Sequence, residues 1–142
     1  MNKVVSYRSF CNKMWNATKF ALMNLGEGFE PVPHFAETKC ADFCFQNKWI
    51  LHKLNRCINE TNDAFKAYKF GAAVEACCQF WTKNDGSGCF CDLYIEMIKP
   101  ITQGPDCEQK DECKQVLWTC LEVYLRLLHP MMPFVTEELY HR

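Results

Sequence analysis

Apolar residues recur at three- and four-residue spacing along almost all of this 142-residue chain. That period specifies helices and excludes strands as the main element. Phe10, Met14, Ala17, Ala21 and Leu25 fall on one side of a helix predicted over Tyr7–Leu25, with Gly26 and Gly28 to end it. A second helix is predicted from Asp42 to Tyr68, its buried seam being Ile50, Leu54, Cys57, Thr61, Phe65 and Tyr68. A third starts near Ala72 and carries Val74, Cys77, Phe80 and Trp81. The pattern resumes from Cys91 to Lys99, where Pro100 is expected to stop it. Asp106 is placed to cap the next helix, with Gln109 three residues on; that helix carries Cys113, Leu117, Cys120, Tyr124 and Leu127 and ends before Pro130. Pro133 suits the first position of one more helix, with Glu137 and Glu138 near its positive end. Between these segments lie the proline-bearing loop EGFEPVPHFAETK and the turn-forming run NDGSG at Asn84–Gly88. No strand alternation persists and no internal repeat is visible. The expected architecture is all-α: one domain over residues 1–142, an antiparallel helical bundle of four to five helices.

Composition narrows the function classes. Hydrophobic residues make up 49% and charged residues 23%, so a real core is available to a water-facing protein. No run of about 18 apolar residues exists, so no membrane span is expected. The eleven cysteines are an odd number without a signal-peptide pattern, which argues against a disulfide scaffold and for reduced thiols in a cytoplasmic protein. Cys40 and Cys44 have a tolerable zinc spacing, but Cys77–Cys78 and Cys89–Cys91 do not, so no metal site is expected. The phosphate-binding loop, the zinc-protease motif and the nucleophile elbow are all missing. His34, His52, His129 and His141 are scattered; His129, in LLHP, reads as a structural residue at a helix end. Asp92 and Glu96 could share a helix face, more simply as a salt-bridged surface involving Lys99. No catalytic residue is therefore expected in this chain.

One asymmetry is left. The formal net charge is −1, yet no acid precedes Glu27, while Lys3, Arg8, Lys13 and Lys19 are basic. Arg8, Asn12, Asn16 and Lys19 fall within one narrow stripe on the first helix, away from its apolar side. Cations attract phosphates, and asparagine offers paired donor and acceptor groups to base edges. Trp15 and Phe20 flank the stripe, where an aromatic ring can stack on a splayed base. Composition alone favours a solvated helix face for these residues, and a core place for Trp15.

At these residues the chain resembles a known family. YRSFCNKMWNATKFALMNL is similar to the opening helix of the anticodon-binding domain of the valine–tRNA ligases, class Ia aminoacyl-tRNA synthetases. CDLYIEMIKP resembles the domain's middle segment, and LRLLHPMMPFVTEELY its closing segment. NKWILHKLN and AFKAYKFGAAVEA fit the helices between, so the resemblance runs from about Tyr7 to Tyr140. It implies a helical bundle that binds the anticodon stem-loop of tRNA. The whole enzyme would esterify valine to its tRNA using ATP and Mg. The catalytic and editing domains that do this chemistry are not in this sequence, so the chain needs no cofactor itself and should be inactive alone. It is expected to be cut from a longer ligase chain, which with valine tRNA would be its partner. Carried over position by position, the tRNA-binding candidates are Arg8, Asn12, Asn16 and Lys19, with Trp15 beside them and Lys13 secondary. Two features depart from the family pattern. NDGSG lengthens the gap between Trp81 and Cys91, and Lys19 stands where arginine is frequent, keeping the charge but not the two-pronged donor. The alternatives are a stand-alone helical protein-interaction module derived from such a domain, or the same domain from an isoleucine or leucine ligase.

Overall fold

A computed structural model describes residues 3–35, 42–82 and 88–142. Cys40, with its zinc spacing, and most of the NDGSG run at Asn84–Gly88 lie outside the described residues, as does the rest of segment 36–41. Six α-helices and one π-helical turn are described: α1 (Lys3–Leu25), α2 (Phe45–Lys66), α3 (Phe70–Trp81), the π-helix (Cys89–Tyr94), α4 (Ile95–Thr102), α5 (Glu108–Leu128) and α6 (Pro133–Tyr140). No strand occurs among the described residues. The fold is the all-α bundle expected, with the short helices α4 and α6 bringing the count to six.

Helix α5 is the hub, packing against each of the other five α-helices. It can do so because apolar side chains surround much of its circumference: Cys113, Val116, Leu117, Cys120, Leu121, Tyr124, Leu125 and Leu128 are all buried. Against it α1 lays Met14, Ala17, Ala21 and Leu25, the side assigned from the spacing. An aromatic stack closes the far side. The Trp81 ring lies between Phe90 and Tyr124, with centroids 4.6 and 4.2 Å away. It fixes the end of α3 against the start of the π-helix.

A polar network is built into the same core. Asn47 is fully buried on α2. Its amide donates to Glu112 Oε1 at 2.7 Å, and its carbonyl oxygen accepts from the Tyr94 hydroxyl at 2.7 Å. Burial pushes the Tyr94 phenol well above its ordinary range, which keeps the hydroxyl a donor. The Cys44 amide, just before α2, donates to the same Glu112 oxygen at 2.9 Å. One carboxylate on α5 thus anchors the entry of α2.

Several helix ends differ from expectation. Pro100 lies inside α4: only its own amide is lost, and the Lys99 carbonyl still accepts from Gln103 N at 2.9 Å, so the turn continues past the ring. Helix α5 starts one residue later than the Asp106 cap requires. Cys107 is the extended N-cap, without a side-chain hydrogen bond, and Asp106 instead pairs with Lys110 at 2.9 Å. Tyr68 does not belong to the α2 seam. It lies past the helix end, 82% exposed, at φ 56°, and Ala64 is the last buried residue of the helix. The Lys69 amide bonds back to Ala64 O at 2.8 Å, so Tyr68 occupies the left-handed closing position that glycine usually fills. Val74 is exposed on α3, and Phe65 is only partly buried. On α6, Pro133 opens the helix as expected, but Glu137 and Glu138 sit beyond the first turn and pair with His141 and Arg142. His129 bonds through Nδ1 to the Thr136 hydroxyl at 2.8 Å, a structural tie between α5 and α6. Glu96 pairs with Lys99, as the salt-bridged reading required.

Candidate nucleic-acid interface

The outer side of α1 is set by what its inner side must do. With Met14, Ala17, Thr18 and Ala21 turned to the core, residues about 180° round the axis face solvent. Arg8, Asn12, Asn16 and Lys19 are all exposed there. None of the four side chains has a hydrogen-bond, ion-pair or ring partner among the described residues. Their donors and charges are held in place by a packed helix and committed to no partner among the described residues. Met23 continues the same side, 74% exposed.

Two shoulders flank this ridge; the spacing placed Trp15 beside it but not the partners that cover Trp15 and hold Lys13. On one side is Trp15, 38% exposed, whose ring carries the Arg142 guanidinium at 4.4 Å. Glu138 holds that guanidinium through two hydrogen bonds, at 2.7 and 3.1 Å. Trp15 is neither core nor a bare stacking surface: a cation already lies on its face. Phe20, the other flanking aromatic, packs against the core instead.

On the other side Lys13 leaves the ridge. Its Nζ donates to the Thr82 hydroxyl at 2.6 Å and lies 3.3 Å from Asp92 Oδ1. Asp92 also accepts from Thr82 Oγ1 at 3.1 Å and from the Gly88 amide at 3.0 Å. The clamp therefore joins α1, the C-cap of α3 and the π-helix, beside the aromatic stack around Trp81. Neighbouring Cys91 has its thiol pushed up to about 12, first by burial and then by the Asp92 carboxylate, with Lys13 opposing. The structure brings Arg8, Asn12, Asn16 and Lys19 together in the open, puts Trp15 under Arg142, and engages Lys13. Arg142, Thr82 and Asp92 were not legible as neighbours of α1, because each lies at least 69 positions along the chain from its partner there.

Among the described residues no group of three or more His, Cys, Asp or Glu side chains is placed to hold a metal ion. Ten of the described cysteines are free, four of them buried, and Cys107 is exposed. Among the described residues no helix is long and apolar enough to cross a membrane.

Comparison with known proteins defines the class to which this helical bundle belongs. Residues 47–142 match the anticodon-binding domain of tRNA ligase, and the chain belongs to that family. The relatives most similar in sequence include the valine–tRNA ligases of rat, 44% identical over 142 residues, and of human, 43% identical over 142 residues. A bacterial valine–tRNA ligase, from Geobacter sulfurreducens, is 44% identical over 139 residues. These alignments cover 100%, 100% and 97% of this chain but only 11%, 11% and 15% of the relatives, so the chain spans a small part of their length.

Proposed function

We propose that this chain is the tRNA-recognition module of a valine–tRNA ligase and that the outer ridge of α1 binds the anticodon stem-loop. The observation that carries the reading is the set Arg8, Asn12, Asn16 and Lys19: exposed, unpartnered among the described residues, and opposite the face that α1 buries. Arg8 and Lys19 contact phosphates. An asparagine pairs with the edge of an unstacked loop base, as single-stranded loops allow. The Trp15–Arg142 stack borders the loop and offers a planar cation as a platform.

The partners are a valine tRNA and the remainder of the ligase. The whole enzyme joins valine to tRNA with ATP and Mg in domains other than this one, and this chain alone is inactive. The names of the relatives, bacterial and animal valine–tRNA ligases over nearly the whole chain, support this choice of amino acid. The cytoplasm is the proposed compartment, although one similar plant protein is named as mitochondrial.

The test is Lys19→Glu in a filter-binding titration against valine tRNA and a non-cognate tRNA. Charge reversal should weaken binding about tenfold or more and flatten the salt slope by roughly 0.7 to 0.9 for each phosphate that is no longer neutralised. Unchanged affinity and slope would remove Lys19 and its stripe from the interface.

A further inference from the structure

We infer that Asp92 sets the number of cations that α1 presents to RNA, by holding Lys13 away from the ridge. The inference rests on the anticodon-loop reading and adds to it an affinity-determining residue outside α1. Lys13 lies only about 60° round the helix axis from Asn16, close enough for its long side chain to reach the ridge. It does not join the ridge, because Nζ is drawn to Thr82 Oγ1 at 2.6 Å and to Asp92 Oδ1 at 3.3 Å. The two partners differ in freedom. The Asp92 side chain is 14% exposed and fixed by Thr82 and the Gly88 amide, whereas that of Lys13 is 43% exposed. The carboxylate is therefore the fixed member and the ammonium the movable one. While the pair stands, an approaching phosphate meets Arg8 and Lys19 at full charge and Lys13 largely cancelled. Asp92 is thus a positioning residue that limits the electrostatic, sequence-independent part of RNA affinity. Binding is left to depend more on the asparagines and on loop shape.

Asp92→Asn tests this. The amide keeps an oxygen to accept from Gly88 N and Thr82 and removes the charge that holds Lys13. Titrations of the 142-residue chain with an in vitro transcribed valine tRNA at several salt concentrations give affinity and slope. D92N should bind about fivefold more tightly at low salt, with a slope steeper by roughly 0.7 to 0.9, one extra phosphate neutralised. In the Lys13→Met background, D92N should produce no such gain. A folded D92N whose slope equals that of the parent overturns the inference, as does a gain that persists without Lys13. Should D92N fail to fold by circular dichroism, Lys13→Met against Lys19→Met decides: K13M should flatten the slope less than half as much, and equal reductions overturn the inference. Lys19→Met also separates the two levels. If K19M leaves the slope unchanged, the ridge reading itself fails. If K19M flattens the slope and D92N does not steepen it, the Asp92 role alone fails.

Discussion

Asn47 and the pair Asn12 and Asn16 have the same side chain and opposite situations. Asn47 is fully buried, and both ends of its amide are used, by Glu112 and by the Tyr94 hydroxyl. Asn12 and Asn16 are exposed, and neither amide is used within the described residues. An asparagine costs free energy to bury unless it is fully bonded, so Asn47 is accounted for by the fold. On an exposed helix surface asparagine is a poorer helix former than alanine or lysine, so the fold gives no reason for two of them on α1. The contrast separates polar residues that hold the bundle together from polar residues that the bundle holds out.

The largest expected effect falls on the structural side. Asn47→Ala leaves the Tyr94 hydroxyl without its acceptor and removes a donor from Glu112, which should cost about 3 kcal/mol in urea denaturation. A drop under about 1 kcal/mol would show that the network rearranges freely, and the contrast would weaken. The double replacement Asn12→Ala with Asn16→Ala should lower affinity for an anticodon hairpin by about fivefold to tenfold, near 1 kcal/mol, while stability holds or rises by up to about 1 kcal/mol, alanine being the better helix former. Large destabilisation there would mean that the ridge is structural after all. The smallest effect concerns a third situation, exposed and strained. Tyr68 holds a left-handed backbone with its ring in solvent, and Tyr68→Gly should stabilise the chain by roughly 0.5 to 1 kcal/mol in the same denaturation assay. A destabilised variant would show that the edge-on packing of Phe70 with Tyr68 outweighs the strain.

Much of the bundle was legible because burial follows the 3.6-residue period, and the inner face of α1 and the seam of α2 as far as Thr61 follow it closely. What the sequence hid depends on geometry between helices. The π-helical turn at Cys89–Tyr94 has no propensity signature, and the Asp106 cap failed through a shift of one residue. Pro100 misled because a proline removes one amide without preventing later amides from bonding across it. The ridge could be read since its four residues lie on one helix. Its shoulders could not, since Arg142 and Asp92 reach α1 only through the folding of the whole chain. The exposed positions of Arg8, Asn12, Asn16 and Lys19 match the face assigned from their spacing, while Phe20 and Lys13 turned to other partners.

The most direct measurement uses the asparagines as reporters. Their side-chain amide resonances in an isotope-labelled chain can be followed while a hairpin carrying the valine anticodon loop is titrated in. If the α1 ridge binds the loop, the amides of Asn12 and Asn16 shift with the amide protons of Arg8 and Lys19, and Asn47 stays still. Shifts centred on another face, with the α1 ridge unmoved at saturating hairpin, would contradict it.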